Sequence, residues 1–394
     1  MIKKHIDVIV KYFTPVAAGI ETNVLETYSV LAKLGWDITI HTSTDTLTKK
    51  DVLNKTDELR GLRIVRYKYS RFGYFPKIDW ENTSLVCLHN FNVSHINVIL
   101  YSGLLKILGR KKFALIVTPH GGFNPEWSIY PVFMRIAKQT YHYSIGTILI
   151  NLFVDKMRAV SEWERNEIIK KGVKQEKVIT ISNGLEQEAY LDVDKNASAE
   201  IKEKVKGFGR YLIQIGRVYV IKNYETTIRA LPSIPKDVKF IIAGPTQDND
   251  NYLEGLQKLA KDLGVYERVI FMGVIRGIDK YYLIKHAQAM VHMALWESYC
   301  NVVHEGLSQG LVCIVANNTA LPLLIKDRKN GYLVETRDSK TLADSINYVL
   351  SHQNSKDIEL IKKNSKDLGL QDSWESVAGR MNILYNKLLK KNNE

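Results

Sequence analysis

Short apolar runs alternate with helical patterns along the first half of the chain, which predicts alternating strands and helices. Runs of strand length stand at residues 6–10, 38–41, 62–67, 84–88, 113–118, 158–160 and 178–181. Apolar residues recur at helical spacing over 21–34, 93–108 and 129–147. Because strands separated by helices pair in parallel, we expect a parallel sheet with helices on both faces.

The second half of the chain repeats this plan after a polar interruption at 191–207. Runs of strand length stand at 211–215, 239–243, 269–272, 289–295 and 312–315, and the pattern past Ser355 is helical to the end. We therefore predict an α/β protein with two doubly wound Rossmann-like domains, residues 1–190 and 191–372. A C-terminal helix, 373–394, follows and packs one apolar face against a domain. Domains of this type bind ligands at strand carboxyl ends and at domain interfaces, so we expect a cleft between the two.

Length and composition agree with this organisation. The chain has 394 residues, too many for one ordinary core, and 45% of them are hydrophobic. Cys87, Cys300 and Cys313 lie in or beside apolar runs without a CxxC pair, which predicts buried free thiols in a reducing compartment and no zinc site. No secretory signal is visible, and the longest apolar stretch is about half a membrane span, so we expect a cytoplasmic protein, soluble or peripheral.

The charge is strongly positive and unevenly placed. The formal net charge is +13, and no acidic residue occurs between Glu81 and Glu126. This segment contains a basic run: Lys106, Arg110, Lys111 and Lys112. A basic face suggests an anionic partner such as a membrane surface, a lipid diphosphate or a nucleic acid, and a solvated lysine-rich surface is an equal alternative.

Two glutamates, Glu297 and Glu305, carry the strongest chemical signal. They follow the apolar run at 289–295, and a helix-like segment starts between them near Asn301. A strand, a sharp turn and a helix N-terminus form an anion site, because the first helical amides lack partners in the helix. One carboxylate at the anion and one farther along suit a nucleotide-sugar. Glutamates at this spacing are common on solvated helices, but the surrounding βαβ pattern favours a site.

The first strand of the second domain ends in a second candidate group. Gly216 and Arg217 follow it directly, and Lys222 comes five residues after the arginine. Glycine lets the backbone approach a ligand closely, and the two cations suit a diphosphate, the arginine through its planar fork. From spacing alone, ordinary surface charge at a strand end is the more common alternative.

Two strand ends of the first domain are further candidates. His120, followed by two glycines, ends the run at 113–118 and is closely approachable. A structural role for such a histidine is somewhat more common than a catalytic one. Gly19 opens the helix after the first strand, where it forms a weaker candidate for a phosphate or acceptor loop.

Several common ligand motifs are absent. No G-x-G-x-x-G follows the first strand, which argues against a nicotinamide or flavin site, and no phosphate-binding G-x-x-x-x-G-K-[ST] occurs. No His/Cys cluster has metal-ligand spacing. Asp248 and Asp250 match the D-x-D of metal-dependent sugar transferases, but they stand in a polar loop where acids are expected. We therefore predict no bound metal.

Taken in order, these segments resemble the group 1 glycosyltransferases (family 4), retaining enzymes of the GT-B fold, over essentially the whole chain. The motifs that carry the resemblance are E-x(7)-E at Glu297 and Glu305 with N-G-Y-L-V after it, G-R-x(4)-K at 216–222, T-P-H-G at His120, A-V-S-E at Glu162, and N-G at Asn183. S-W-E at 373–375 resembles the terminal helix of the family, which crosses back to the first domain.

The resemblance implies a role for each candidate. Arg217 and Lys222, beside Gly216, would bind the donor diphosphate, and Glu305 would accept hydrogen bonds from the ribose hydroxyls. Glu297 would contact the transferred sugar. Backbone amides at the helix start would assist: those of Cys300, Asn301 and Val302. His120 would lie beside the reacting centre, and Gly19 would line the cleft.

The chain also departs from the family pattern. Ser298 and Cys300 stand where the family often has glycines, and Ala18-Gly19 replaces a glycine pair. The segment 319–323 lacks the acid of the family's glycine-glycine-x-proline-glutamate. Ser and Cys are small, so contacts of the backbone amides are still expected.

These features together predict a metal-independent retaining glycosyltransferase. It would move a sugar from a UDP- or GDP-sugar to a glycan or lipid-linked acceptor, in cell-surface polysaccharide or glycolipid synthesis. Three alternatives stay open: a sugar-nucleotide epimerase of the same fold, a trehalose- or sucrose-type synthase with a small acceptor, and a non-catalytic membrane- or nucleic-acid-binding protein. We see no aromatic-interleaved basic motif of the kind that binds nucleic acid.

Overall fold

A computed structural model describes residues 4–16, 18–46, 53–70, 73–91, 93–246 and 251–393. The chain forms two compact units. The first contains the chain up to Gly184 and from Trp374 onward, and the second contains Leu185–Ser373.

The division between the units lies a few residues before the boundary expected at 190/191. Leu185, Ala189 and Val193 form a small buried cluster with Tyr281 of the second unit. These residues already belong to the second unit because their apolar side chains are buried there, ahead of the polar stretch that marked the boundary in the sequence.

The first unit is built on an eight-stranded sheet. Its strands are β1 (His5–Ile9), β2 (Asp37–Ser43), β3 (Thr56–Leu59), β4 (Leu62–Tyr67), β5 (Leu85–His89), β6 (Ala114–Thr118), β7 (Lys156–Ala159) and β8 (Val178–Thr180). They lie in the order β3-β4-β2-β1-β5-β6-β7-β8, and only the β3–β4 pair is antiparallel. The seven parallel strands match the seven predicted runs within a few residues.

Strand β3 was not predicted. Its sequence, Thr-Asp-Glu-Leu, lacks an apolar run, and it pairs at the sheet edge through a hairpin. Arg60 and Gly61 turn that hairpin with positive φ angles of 52° and 78°, as two-residue hairpin loops require.

In the described part of the first unit, the helices that follow these strands are α1 (Gly19–Lys33), α2 (Val93–Ile107), α3 (Val132–Thr140), α4 (Thr147–Phe153) and α5 (Glu162–Lys170). The predicted helix 129–147 is divided. It begins as α3 after Pro131, continues as a π-helical segment, Tyr141–Gly146, and resumes as α4.

The alternation of side chains along each strand divides the core of the first unit into two layers. Leu85 and Cys87 face one layer, whereas Val86 and Leu88 face the other. Because successive side chains point to opposite faces of a sheet, both faces are apolar and both are covered by helices.

The second unit has a six-stranded parallel sheet. Its strands are β9 (Tyr211–Ile215), β10 (Lys239–Ala243), β11 (Val269–Gly273), β12 (Ala289–His292), β13 (Cys313–Ala316) and β14 (Gly331–Val334), in the order β11-β10-β9-β12-β13-β14. From β9 the chain adds β10 and β11 on one side, and it then adds β12, β13 and β14 on the other side. The strand order therefore has a switch point between β9 and β12, although these two strands are parallel. Doubly wound sheets bind ligands beyond the carboxyl ends of the two strands at such a switch point.

The apolar run at 289–295 is not a strand throughout. Strand β12 ends at His292, and Met293 and Ala294 continue as buried loop. A buried loop carries the same apolar signal as a buried strand, so the sequence pattern placed the strand end too late.

The described residues of the second unit form these helices around the sheet: α6 (Val193–Asn196), α7 (Ala199–Phe208), α8 (Tyr224–Ala230), α9 (Asn251–Asp262), α10 (Gly277–Lys285), α11 (Asn301–Ser308), α12 (Leu321–Leu324), α13 (Ser339–Ser351) and α14 (Lys356–Gly369). One continuous apolar core lies between these helices and the sheet.

The last helix, α15 (Trp374–Asn393), belongs to the first unit. The helical pattern past Ser355 corresponds to α14 and α15, and the break after Gly369 leaves α15 at nearly the bounds expected for the C-terminal helix, 373–394. Trp374, Met381 and Tyr385 of α15 join the core layer that contains α1, and Trp36 Nε1 donates to Asn382 Oδ1 at 2.9 Å. Among the described residues, no helix is both long enough and apolar enough to cross a bilayer.

Candidate functional site

The loops after β9 and β12 are tied together at the switch point of the second sheet. The amide of Leu295 donates to the carbonyl of Ile221 at 2.8 Å, and Asn223 Nδ2 donates to the carbonyl of Met293 at 2.8 Å. These two hydrogen bonds hold the loop that contains Lys222 beside the loop that leads to Glu297.

Glycines allow the strand ends to approach each other here. Gly216 has a φ of +154°, and Gly244, which follows β10, has a φ of +152°. A Cβ on Gly244 would lie 2.0 Å from the carbonyl oxygen of Gly216. The positive φ and this contact exclude other residues at Gly244, a position that the sequence analysis did not single out.

Lys222 and Glu297 form an ion pair. Lys222 Nζ donates to Glu297 Oε1 at 2.5 Å, and the buried His292 ring is hydrogen-bonded to the same oxygen through Nε2 at 2.8 Å. Burial opposes ionisation of the carboxyl, but Lys222 and His292 outweigh it and lower the pKa of Glu297 to about 2. Glu297 is therefore an ionised carboxylate at neutral pH, with its position fixed by two donors.

Arg217 lies beside this pair as a second fixed cation. Its guanidinium carbon is 5.0 Å from the centre of the Tyr219 ring, and its charge acts on Lys222. No ion pair with Arg217 occurs in the part of the chain that the structure describes. The guanidinium is thus oriented by an aromatic face and not neutralised by a carboxylate.

Helix α11 begins at the same switch point. Cys300, the residue before it, has φ +84° and makes no side-chain capping hydrogen bond. A left-handed backbone at a non-glycine residue is strained, which fits the family's frequent glycine here. The N-terminal amides of α11, at Asn301 and Val302, form the positive end of the helix dipole.

Glu305 lies farther along α11 in a buried cluster of three charges. Lys280 Nζ lies 3.0 Å from Glu305 Oε1 and 2.7 Å from Glu186 Oε2. The other oxygen, Oε2 of Glu305, is buried without a hydrogen-bond partner among the described residues. Burial raises the pKa of Glu305, with Lys280 opposing the change. A buried acceptor without a donor indicates a place for a ligand hydroxyl.

One group of side chains could in principle hold a metal ion. Ligand atoms of His292, Glu297 and Cys300 lie within 4.8 Å of one another in the described part of the chain. The Lys222 ammonium already occupies the Glu297 oxygen in this group, and a metal would have to displace it. Asp248 and Asp250, which match D-x-D, lie outside the described residues.

The two remaining candidates lie in the first unit. Gly19 is the first residue of α1, directly after the loop that follows β1, at the carboxyl edge of the sheet. His120 follows β6 with a φ of +47°. Its Nε2 is hydrogen-bonded to Nδ1 of His89, the last residue of β5, at 2.8 Å.

A buried chain of hydrogen bonds continues from His89. His89 Nε2 pairs with the Tyr28 hydroxyl at 2.9 Å, and the Tyr28 and Tyr385 hydroxyls pair at 3.1 Å. Burial lowers the pKa of His89 well below its usual value, and burial with the charge of Arg158 lowers the pKa of His120 to about 3. Both imidazoles are therefore neutral near pH 7, and one donates to the other.

A buried carboxylate supports the His120 loop. Glu164 accepts hydrogen bonds from the amide of Gly121 and, at 2.7 Å, from the amide of Val160. Burial raises its pKa to about 7 against these bonds. The acid in contact with the loop is therefore Glu164, whereas Glu162 of the A-V-S-E motif is exposed at the start of α5.

The structure brings most of the predicted residues together. The residues that share the β9–β12 switch point are Gly216, Arg217, Lys222, Glu297, Cys300, Asn301, Val302 and Glu305. His120 and Gly19 lie in the other unit, and the cleft expected between the units stays a prediction. Sequence patterns missed Lys280, Glu186 and His89, because no local motif relates them to the residues they contact. They missed His292 because it stands inside the apolar run at 289–295, which predicts a buried strand.

Comparisons with known proteins agree with this geometry. The chain matches the descriptions Glycosyltransferase Family 4 over residues 17–189 and Glycosyl transferases group 1 over residues 194–367. The structure of Anabaena Alr3699/HepE in complex with UDP and glucose superposes with a TM-score of 0.76 at 16% identity, covering 98% of this chain and 100% of that one. The protein is thus a two-domain α/β protein of the GT-B fold.

Curated relatives point to the same family. The alpha-monoglucosyldiacylglycerol synthase of Streptococcus pneumoniae is 25% identical over 338 residues, 82% of this chain and 73% of its own. An uncharacterised glycosyltransferase of Methanocaldococcus jannaschii is 27% identical over 209 residues, 52% of each chain. Matches to the first relatives span only about half of their own length. Since the two family matches together cover most of the chain, it belongs to the group 1 glycosyltransferases.

Proposed function

We propose that this protein transfers a sugar from a nucleoside diphosphate donor to a hydroxyl group of an acceptor, with retention of the anomeric configuration. One observation carries the proposal. Two fixed cations, a helix N-terminus and a carboxylate with an open oxygen converge at the switch point of the second unit. Membership of the family supports it.

Arg217 and Lys222 bind the diphosphate in this proposal. Cleavage of the glycosidic bond places negative charge on the leaving diphosphate, and preorganised cations stabilise that charge. The amides at the start of α11 add the positive end of a helix dipole. Lys222 has three donor hydrogens, so it can keep its bond to Glu297 while it donates to a phosphate oxygen.

The two glutamates bind the two ends of the donor. Glu297 is ionised and held by Lys222 and His292, so it accepts hydrogen bonds from hydroxyls of the transferred sugar. Glu305 presents its unpartnered Oε2 to the ribose hydroxyls, and Lys280 holds the other oxygen in place.

His120 acts as a neutral group in this mechanism. Its low pKa leaves the ring uncharged near pH 7, so it orients sugar or acceptor hydroxyls by hydrogen bonding and does not act as a cation. Because Nε2 is already bonded to His89, Nδ1 is the atom that contacts the substrate. Gly19 contributes backbone at the start of α1.

The transfer requires no metal ion in this proposal, because Arg217 and Lys222 supply the positive charge that a divalent cation would supply. Turnover should therefore be unchanged after treatment with a chelator and gel filtration. Loss of turnover with EDTA, restored by Mn²⁺ or Mg²⁺, would contradict this part of the mechanism.

UDP is the proposed nucleotide, and a lipid-linked or glycan acceptor is proposed with it. The structure of the Anabaena protein contains UDP and glucose, and the Streptococcus pneumoniae relative is an alpha-monoglucosyldiacylglycerol synthase. An acceptor of this kind would place the protein at the surface of a membrane, in glycolipid or surface-polysaccharide synthesis.

Two measurements test the proposal. A ligand that binds only the folded state raises the melting temperature, so UDP, GDP, ADP and their sugars are compared by thermal unfolding. We expect stabilisation by one nucleotide, lost in Glu305→Ala and kept in Glu254→Ala, which removes an exposed glutamate from α9. Proton NMR of the donor with glycolipid acceptors then follows the anomeric signal, and an α-linked donor should give an α-linked product.

Each alternative function has a distinct result in the same experiments. Donor converted without any acceptor would indicate an epimerase, and transfer to glucose or fructose phosphates would indicate a disaccharide synthase. Absence of stabilisation by every nucleotide, together with an unchanged donor, would contradict the proposal and favour a non-catalytic protein.

A further inference from the structure

Helices α2 and α4 of the first unit expose apolar side chains along adjacent stripes. On α2, Leu100, Leu104 and Ile107 recur at i, i+4 and i+7 and are each about half exposed or more, with Ile107 at 74%. On α4, Ile148 and Leu152 lie one turn apart and are exposed in the same way. Side chains at these spacings share one helix face, so each stripe is continuous.

The two stripes belong to one surface because the helices pack against each other. Gly103 of α2 lies against the Phe153 ring, where a Cβ would be 2.7 Å from the ring. Lys106 Nζ donates to the carbonyl of Leu152 at 2.9 Å. The exposed residues of α2, α3 and α4 are called the α2–α4 surface below.

Helix α3 has no buried residue and continues through the π-helical segment Tyr141–Gly146 directly into α4, so it prolongs the same helical element. Val132, Phe133 and Ile136 lie on one side of it, and the exposed fraction of Phe133 is 86%. Arg135 and Lys138 lie on the other side, with Lys138 Nζ 4.2 Å from the centre of the Tyr130 ring. Packing within the unit gives no reason for these apolar residues, and exposed apolar patches of this kind mark interaction sites.

Basic residues border the apolar stripes. Lys106, Arg110 and Lys112 are exposed at and beyond the end of α2. Burial and the positive charges of Lys106, Lys111 and Lys174 lower the pKa of Lys177, which places these cations near one another. From residue 82 to residue 154, Glu126 is the sole acidic residue in the sequence.

Lys111 differs from its neighbours in the basic run. Its side chain is only 8% exposed, and Nζ is bonded to Asp155 Oδ2 at 2.5 Å. It supports the end of α2 from within the unit, so an experiment on surface charge should change Arg110 and Lys112.

We propose that the α2–α4 surface docks on an anionic lipid bilayer, with Phe133, Ile136 and Ile107 in the interface and the basic residues against lipid phosphates. Apolar residues and dense positive charge on the same surface are the combination that binds such membranes. A protein partner would have to match both the apolar stripes and the positive charge with one specific acidic surface, whereas an anionic bilayer offers both properties anywhere along its surface. The inference rests on the proposed lipid-linked acceptor, but it is tested without donor, acceptor or turnover, so the two can fail separately.

Vesicle sedimentation tests the proposal. The protein is mixed with vesicles of equal parts phosphatidylglycerol and phosphatidylcholine, and with vesicles of phosphatidylcholine alone. We expect binding to the anionic vesicles, weakening as salt rises because exposed charges are screened. Each basic residue near an anionic surface raises the partitioning onto the membrane roughly fivefold. The double variant Arg110→Glu with Lys112→Glu should therefore lower partitioning onto the anionic vesicles about tenfold or more. Phe133→Ser with Ile136→Ser should lower it by a similar factor.

Matched controls change the same residue types elsewhere. Ile383→Ser removes an equally exposed apolar side chain from α15, and Lys258→Glu with Lys363→Glu reverses two exposed charges of the second unit. We expect both controls to bind vesicles like the original protein. Unchanged melting temperatures would verify that every variant is folded.

Three results would overturn the proposal. The first is no binding of the original protein to anionic vesicles. The second is equal loss of binding in the variants of the α2–α4 surface and in the controls. The third is dimerisation in light scattering that Phe133→Ser abolishes, without vesicle binding, which would assign the surface to a second copy of the chain.

Discussion

Replacing Lys222 by methionine would test the centre of the proposed donor site. Methionine keeps the unbranched apolar stem but removes the charge that lies 2.5 Å from Glu297 Oε1. Among the described residues, Glu297 would then keep His292 as its side-chain donor, in a site where its own side chain is 13% exposed. We expect losses of both folding stability and nucleotide affinity.

The size of the stability loss follows from the ionisation of Glu297. Lys222 and His292 lower its pKa from 4.5 to about 2 against burial, and a shift of this size corresponds to roughly 3 kcal/mol in favour of the ionised form. Lys222 is the larger contributor, so we expect Lys222→Met to lower the free energy of unfolding by about 2 kcal/mol. Breaking a fully buried pair costs more, about 3–5 kcal/mol.

A double-mutant cycle isolates the pair. The cycle compares urea unfolding near pH 7 for Lys222→Met, Glu297→Gln and the variant with both changes. We expect the loss in free energy of unfolding of the double variant to be about 2 kcal/mol smaller than the sum of the two single losses. In calorimetry, Lys222→Met should weaken UDP binding by about tenfold to a hundredfold, because a charged hydrogen bond to phosphate contributes roughly 1.5–3 kcal/mol.

A second ion pair of the same unit serves as the control. Arg210 and Asp237 are paired at 2.9 Å, but both side chains are well exposed, so solvent screens the pair and Arg210→Met should change stability little and leave UDP binding unchanged. Strictly additive losses for Lys222 and Glu297, or an Arg210 variant as damaging as Lys222→Met, would refute the reasoning.

Three further predictions concern the scaffold of the two units. Gly244→Ala should lower the free energy of unfolding by about 2 kcal/mol or more, because the added Cβ would lie 2.0 Å from the Gly216 carbonyl oxygen. Gly255→Ala, in open space on α9, should be neutral or stabilising, and equal effects of the two variants in urea unfolding would contradict this. Burial lowers the pKa of His304 from 6.5 to about 4, so the unfolded chain takes up a proton at a higher pH than the folded protein does. The free energy of unfolding should therefore fall as the pH drops below 6.5, by up to about 1.4 kcal/mol per pH unit. His304→Gln should flatten this dependence of stability on pH. His89→Gln should lower kcat more than it changes KM, since His89 holds His120 and is not proposed to touch the donor; a change in KM alone would argue against this.

The strands were predictable because each is a short apolar run between polar breaks. The parallel strands of both sheets coincide with those runs except β14, which was not among the predicted runs, and the classification as an α/β fold of two Rossmann-like units followed from them. The exceptions have physical causes. Strand β3 is polar and lies at an edge, and the run at 289–295 includes loop residues that are as buried as a strand.

The candidate site was predictable where its residues are close in sequence. Glu297, Glu305 and the start of α11 belong to one segment, and Arg217 and Lys222 belong to another. Lys280 lies 25 residues from Glu305, and its other partner, Glu186, lies 94 residues from Lys280. Contacts of that kind depend on tertiary packing, which no local pattern records. The same reason explains why His89 was not found as the partner of His120.

Calorimetric titration with UDP and with UMP tests the central claim, a diphosphate site at the β9–β12 switch point, most directly. We expect UDP to bind the original protein at least about tenfold more tightly than UMP, and Arg217→Met to remove most of that difference because it removes a charged contact to the second phosphate. Equal affinities for UDP and UMP, or a preference for UDP that Arg217→Met leaves unchanged, would contradict the claim.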